Sequence, residues 1–105
     1  MNVSFLGYTG KIVWDQYERS GQTALRLVDE DGCPIATATC SLEDAELEWG
    51  EVIIKDWSEN RGMAEALVKT GVVLRSHRQI PTGFAWAKVC RLTEAAIADL
   101  VVEVA

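Results

Sequence analysis

Apolar and polar side chains alternate through the first half of the chain, the period-two pattern of a strand with one buried face. The alternation runs through residues 11–18, 24–28 and 35–40. Two short, turn-forming sequences separate these runs, at residues 20–21 and 29–32. Because short turns join neighbouring antiparallel strands, the pattern predicts an antiparallel meander.

Shorter apolar runs predict further strands in the same sheet. Residues 3–6 would add one near the start of the chain. Residues 52–54 are all β-branched, which favours a central strand. Residues 72–74 are apolar, and residues 83–92 alternate, with Phe84 on the same face as every second residue after it. The sequence therefore predicts a mainly antiparallel sheet of five to six strands.

The chain between these strands has helical spacing. Apolar or small side chains recur at the i, i+3, i+4 and i+7 positions of one helix face, namely Met63, Ala66, Leu67 and Thr70. The spacing predicts a helix at about residues 57–70, with Asp56 or Ser58 as its N-terminal cap and Gly71 just past its end. Gly62 would weaken the helix interior, so we expect a close packing contact at that glycine.

A second helical pattern ends the chain. Thr93 is a suitable N-cap for a helix at about residues 94–104. Its buried stripe would consist of Ile97, Leu100, Val101 and Val104. Strands, an internal helix and a C-terminal helix together predict a single α+β domain covering residues 1–105.

Charge is distributed unevenly along the chain, whose net charge is −6. Residues 29–51 contain eight acids and no Lys or Arg, whereas residues 72–92 contain four basic residues and no acid. A negative field repels nucleic acid and speeds encounters with basic proteins. We therefore expect a basic protein surface as the partner and no direct contact with nucleic acid, although the acids could also serve only solubility.

Of these eight acids, two of the three at residues 29–31 have an evident local role, whereas the five at residues 43–51 do not. Asp29 and Asp31 can hold the turn with Gly32. The five acids with no such expected role are Glu43, Asp44, Glu46, Glu48 and Glu51.

Side chains suited to catalysis are few. His77 is the only histidine, and we expect it to be exposed between Ser76 and Arg78. The three cysteines, at positions 33, 40 and 90, form no Cys-x-x-Cys pair, so buried and inert thiols are expected. A nucleophilic pair of Cys90 and His77 stays open. On balance the sequence predicts no enzyme, no bound metal and no cofactor.

The start of the chain lacks the basic segment and the long apolar core of a secretory signal. No apolar run approaches the ~20 residues that a membrane span needs. We therefore expect a cytoplasmic protein without membrane contact.

Four tryptophans are many for a chain of 105 residues. Trp14 and Trp86 lie within predicted strands, which favours the core. Trp49 and Trp57 lie beside charged residues in connecting segments. Because tryptophan often anchors interfaces, these two are the better candidates for partner contact, although the core remains the more common place for either of them.

Residues 52–72 read VIIKDWSENRGMAEALVKTGV. This segment resembles the strand–turn–helix part of an uncharacterised small-domain family, a domain of unknown function from bacterial plasmids, phages and integrated mobile elements. Positions that match the family's pattern are Ile54, Lys55, Asp56, Trp57, Ser58, Glu59, Asn60, Gly62 and Gly71. Arg61 stands where the pattern has an acid, and Trp57 where tyrosine is usual. Similar stretches extend the likeness to Leu92, but the family implies a setting and no activity.

The motif has a structural interpretation as well. We expect Asp56, Ser58 and Asn60 to organise the turn into the helix through side-chain hydrogen bonds to the backbone. Lys55 would lie over Trp57 or pair with Asp56.

Charge and resemblance together lead to a functional expectation. The protein would be a non-enzymatic acidic binding protein of a mobile element, such as an anti-CRISPR-like inhibitor of a host complex that binds nucleic acid. The residues expected to contact the partner are Glu43, Asp44, Glu46, Glu48, Trp49, Glu51 and Trp57. The alternative is a structural or self-associating accessory module of a plasmid or phage, and the sequence does not determine the oligomeric state.

Overall fold

A computed structural model describes residues 1–83 and 85–104 of the chain, without the side chain of Val104. Two expectations lie outside the described residues: the placement of Phe84 on its strand and of the Val104 side chain in the buried stripe.

The first half of the chain folds into the predicted meander. Strands β1 (Asn2–Phe5), β2 (Tyr8–Gln16), β3 (Thr23–Val28) and β4 (Pro34–Thr37) form an antiparallel sheet in that order. Alternation along the strands places one row of apolar side chains on the core face, as in β2, where Ile12 is fully buried. The meander and the short N-terminal strand are confirmed.

A second, three-stranded antiparallel sheet is built from the second half. Strand β5 is Glu51–Ile54, β6 is Arg78–Pro81 and β7 is Trp86–Arg91, in the order β5-β7-β6. Residues 72–74 do not form a strand and contribute only the bridge between Val73 and Leu92. The α+β class is confirmed, and the strands of the described residues number seven, divided between two sheets.

Backbone contacts connect the two sheets where β4 ends. Thr39 forms a bridge with Ile54, and the Lys55 N–H donates to Ala38 O at 2.9 Å. The buried Thr39 hydroxyl also accepts the Leu25 N–H at 3.1 Å. Strand β5 therefore lies beside both sheets, which explains why all four of its residues are buried.

The internal helix begins later than predicted. A short 3₁₀ helix covers Ser58–Asn60, and helix α1 covers Met63–Lys69. Gly62 separates them with a φ of +91°, and a Cβ there would meet nothing within 4 Å. The expected close packing contact at Gly62 is wrong; glycine serves this position because the backbone is left-handed.

Helix α2 spans Glu94–Val104, as predicted. The Ala96 N–H donates to Thr93 Oγ1 at 3.1 Å, which confirms the N-cap. Ile97 and Leu100 pack against the core, but Val101 is exposed, so its expected burial is wrong. The helix is held to β2 by Trp14, whose Nε1–H donates to Asp99 Oδ2 at 2.7 Å. This hydrogen bond is the main cause that lowers the pKa of Asp99.

Candidate protein-binding surface

The acidic segment, residues 43–51, lies over one face of the second sheet. On that face Ile53, Ala87 and Val89 form a small buried cluster that is separate from the main core. Partly buried apolar side chains cover this cluster, namely Cys40, Leu42, Ala45, Leu47, Trp57 and Ile80. The segment therefore has an inner, apolar side that is anchored by packing.

Its outer side carries the charges. Glu43, Asp44, Glu46 and Glu48 are all exposed, whereas Ala45 and Leu47 between them are partly buried. This alternation follows from the packing beneath, because each apolar residue that points down leaves its neighbours pointing towards solvent. The segment thus presents a row of carboxylates on a fixed support.

Trp49 stands next to this row and is 76% exposed, although it is among the largest apolar side chains in the chain. It lies between Glu48 and Gly50, whose φ of +88° turns the backbone towards β5. A cleft of about 360 Å³ opens beside the indole and is lined in part by residues 20–23 and Glu43. Burial in the core, the more common place for such a side chain, is therefore wrong for Trp49, and its contact with a partner stays a prediction.

Distant arginines partly compensate the acidic segment. Arg19 lies 3.3 Å from the Glu43 carboxylate, and Arg91 lies 3.4 Å from that of Glu48. The second pair joins the acid-rich residues 29–51 to the acid-free residues 72–92. Both pairs are largely exposed, so each contributes under ~1 kcal/mol. Among the described residues, Asp44 and the carboxylate of Glu46 form no ion pair.

Glu51 differs from the other acids because it is only 5% exposed. Its Oε1 accepts the Glu48 N–H at 2.8 Å, and its Oε2 lies 2.5 Å from His77 Nε2. Arg78 approaches Oε1 to 3.4 Å and also donates to Glu46 O at 2.6 Å. The expectation that Glu51 lacks a local structural role is wrong, and little of its surface is left for a partner.

The surroundings of Glu51 stabilise its charged form. Burial by itself would raise the pKa of this carboxyl, but the hydrogen bonds from the Glu48 N–H, His77 and Arg78 outweigh it. The pKa of Glu51 is consequently lower than that of an ordinary glutamic acid. With contacts to the Glu48 N–H, His77 and Arg78, the buried Glu51 carboxylate is part of the internal structure and not a surface charge.

The burial of the other three tryptophans agrees only in part with the prediction. Trp14 is buried in the core, as predicted. Trp86 is 63% exposed, so its expected burial is wrong; it lies where β7 begins, opposite Pro81 at the open end of the sheet. Trp57 is partly buried and packs against the Ile53 cluster, which makes it a weaker candidate for partner contact than Trp49.

The motif residues have structural contacts, as expected, though not always with the expected atoms. Asp56 caps α1 through the Ala64 N–H (3.0 Å), and the buried Asn60 donates to Thr37 O at 2.7 Å. Lys55 forms its ion pair with Glu59 at 2.5 Å, whereas Asp56 pairs with Lys88, so the expected Lys55–Asp56 pair is wrong. Ser58 caps no helix, because it lies within the 3₁₀ helix at a φ of +54°.

The cysteines occupy three different environments. Burial raises the pKa of the Cys90 thiol to about 11 and also raises that of Cys40. Cys33 is exposed in the turn after β3, so the expectation that it is buried is wrong. At neutral pH very little Cys90 is thiolate, the form that acts as a nucleophile.

Residues 1–83 and 85–104 contain no group of three or more His, Cys, Asp or Glu side chains that could hold a metal ion. Neither described helix has the length and apolar character needed to cross a membrane.

Comparison with known proteins found no matching family model, no matching curated protein and no matching solved structure.

Proposed function

We propose that this protein is a non-enzymatic binding protein whose partner presents a basic surface to Trp49 and the exposed acids of the acidic segment. The observation that carries the proposal is the 76% exposure of Trp49 at the end of a row of solvent-facing carboxylates. A large aromatic side chain in water is unfavourable for a free protein, and tryptophan is among the residues most enriched at interface hot spots. The surrounding carboxylates suit a partner rich in Arg or Lys.

The chemistry of Trp49 and its neighbouring carboxylate also favours a partner rich in arginine. An Arg guanidinium can stack on an indole face while it donates hydrogen bonds to a neighbouring carboxylate. Glu48, adjacent to Trp49, is already paired with one exposed arginine of this chain, Arg91. That pair is weak and solvent-exposed, so exchange for a partner's arginine would cost little.

The narrower proposal concerns the setting. The resemblance of residues 52–72 to a family of mobile elements suggests that the protein acts in the cytoplasm of a bacterial host. Carboxylates can replace phosphates against Arg and Lys, so the partner would be a host defence complex that binds nucleic acid, and the protein an anti-CRISPR-like inhibitor.

The absence of enzymatic activity is supported by the state of the candidate nucleophile. Cys90 is fully buried, and its pKa is raised to about 11. His77, the only histidine, directs Nε2 at Glu51. Cys90 therefore lacks both the accessibility and the thiolate form of a nucleophile, and His77 contacts Glu51 instead of Cys90.

A second candidate function, self-association as an accessory module, is favoured by the outer face of α2. Val102 is 79% exposed, and its neighbour Val101 is also exposed. If this face joins two copies, sedimentation should detect a dimer that Val102→Asp abolishes. A monomer at all concentrations would exclude this candidate and leave the binding protein.

Charge reversal tests the proposed function. The double variant Glu46→Lys/Glu48→Lys should bind the partner, identified by capture from a bacterial lysate, with an association rate at least tenfold slower at low salt. The difference should shrink as ionic strength rises, because exposed charges are screened over ~8 Å at physiological salt. Surface plasmon resonance over a salt series measures both effects.

The matched control is Glu30→Lys/Asp31→Lys, which changes the net charge equally in the exposed turn after β3. The expected role of Asp29 in this turn is confirmed, because Asp29 Oδ1 accepts the Asp31 and Cys33 N–H groups, whereas Asp31 contributes only its backbone N–H. It should slow association far less, because the turn is not part of the proposed surface. Equal association rates for both double variants would contradict the proposal, since only total charge would then matter.

A further inference from the structure

We infer that Glu51 is the positioning residue of the acidic segment: its buried carboxylate holds the turn that carries Trp49 in one fixed orientation. The inference rests on the proposed function for what the turn contacts. The positioning itself is a property of the free protein, and the experiment below measures it without a partner.

The turn in question is residues 48–51, and Glu51 closes it twice. Its backbone N–H donates to Glu48 O at 3.1 Å, and its side-chain Oε1 accepts the Glu48 N–H at 2.8 Å. Trp49 and Gly50 lie between these two bonds. The direction of the indole therefore depends on a carboxylate two residues further along the chain.

The same carboxylate is anchored to a distant part of the chain. His77 and Arg78, the residues that lead into and begin β6, contact its two oxygens at 2.5 Å and 3.4 Å. On the other side the Leu92 N–H donates to Gly50 O at 2.8 Å, which ties the turn to the end of β7. The turn is thus fixed between two strands of the second sheet, held towards β6 by the Glu51 carboxylate and to the end of β7 by the Gly50 carbonyl.

Charge, and not shape alone, is needed for this arrangement. A buried carboxylate is costly unless hydrogen bonds and opposite charges surround it. A second cleft opens on the side of Glu51 that faces His77, and the titratable and charged groups that line it are Glu46, Glu48, Glu51, His77, Arg78 and Arg91. Arg91 pairs with Glu48, so His77 and Arg78 are the partners of Glu51. A neutral side chain at position 51 would remove the attraction that draws these two groups towards the turn.

The pH dependence has a definite sign. Because the pKa of Glu51 is lower in the folded protein, the contact is fully present above the ordinary glutamic acid value of about 4.3. It is lost as the pH falls through the lowered pKa, when the carboxyl takes up a proton. The turn should loosen over that acidic range and stay closed at neutral pH.

The test follows the backbone amide of Glu48 by NMR in the free protein. In Glu51→Gln at pH 7 this amide should exchange with solvent at least roughly tenfold faster than in the wild type, because a hydrogen bond to a charged group is replaced by a neutral one. His77→Gln should produce a smaller increase. The control Glu59→Gln removes an acid from the exposed Lys55 pair and should leave the Glu48 amide unchanged.

A wild-type titration gives an independent reading. The proton shift of the Glu48 amide should follow a single acid titration below about pH 4.3, and Glu51→Gln should lack it. An amide that neither speeds up in Glu51→Gln nor titrates in the wild type overturns the inference. So does an equal acceleration of all amides, which would indicate general destabilisation. Should Glu51→Gln fail to fold, the wild-type titration decides. If the turn loosens in Glu51→Gln but the charge-reversal experiment fails, the proposed function is rejected and the positioning role of Glu51 stands.

Discussion

Trp49→Ala is expected to weaken partner binding by roughly 30-fold or more, the effect of losing a hot spot worth about 2 kcal/mol. The indole is largely exposed in the free protein, so its truncation removes almost no internal packing. The free energy of unfolding should therefore change by less than about 0.5 kcal/mol. Titration calorimetry with the captured partner and urea unfolding of the free variant measure the two quantities.

The chain offers a close control for this experiment. Trp86 is also exposed, at 63%, but it lies where β7 begins and not on the acidic segment. Trp86→Ala should therefore leave the affinity within about twofold of the wild type, since rim or distant residues are nearly neutral in binding. If Trp86→Ala weakens binding as much as Trp49→Ala, the partner contacts a different face and the proposed surface is wrong.

Asp56→Ala is expected to lower the free energy of unfolding by about 2 kcal/mol. Its Oδ1 accepts the Ala64 N–H at 3.0 Å, a cap worth ~1 kcal/mol. Its Oδ2 accepts from Lys88 Nζ at 2.9 Å, and this pair joins the turn before α1 to strand β7. Because Lys88 is partly exposed, the ion pair adds only up to about 1 kcal/mol. Urea denaturation monitored by circular dichroism gives the value.

Two further variants separate the contributions of Asp56. Asp56→Asn keeps an oxygen for the Ala64 N–H and loses the charge, so it should cost no more than about 1 kcal/mol. Glu59→Ala breaks the exposed pair with Lys55 and should leave the midpoint of the urea transition nearly unchanged, because such pairs are screened by solvent. If Asp56→Ala kept wild-type stability but lost binding, Asp56 would belong to the interface and not to the fold.

Local sequence signals were sufficient for most of the architecture. The meander follows from extended, partly alternating runs and from turn sequences only a few residues long. Helix α2 was predicted at its observed bounds, because the Thr93 cap and the apolar spacing both lie within the helix itself. The helix predicted at residues 57–70 was less accurate at its start, since the left-handed backbone at Ser58 and Gly62 divides it into a 3₁₀ helix and α1.

Features that depend on distant residues could not be predicted from the sequence. Strand β6 begins with polar residues, Arg78 and Gln79, and carries no apolar alternation; it exists because β7 pairs with it. The burial of Glu51 depends on His77 and Arg78, more than 25 positions away. The one available signal was the complementary charge of residues 29–51 and 72–92, which indicates attraction but not the atoms involved.

For the candidate surface, the sequence indicated a set of residues but did not predict which of them are exposed and which are buried. Glu43, Asp44, Glu46 and Glu48 are indeed exposed. Trp49, Trp57 and Glu51 belong to the same stretch of predicted contact residues, yet Trp49 faces water, Trp57 packs against the Ile53 cluster, and Glu51 is buried. Which side of a connecting segment faces inward depends on the sheet beneath it, and that sheet forms from residues later in the chain.

The packing of Leu42, Ala45 and Leu47 beneath the acidic segment has a consequence for how the protein can change over generations. Stability depends on these inward positions, whereas substitutions at the outward ones usually alter it by no more than ~0.5 kcal/mol. Mutations at Glu43, Asp44, Glu46 and Glu48 can therefore accumulate almost independently of the requirement to fold. A lineage that carries this domain could alter which molecule it recognises in single steps, each of them tolerated by the scaffold.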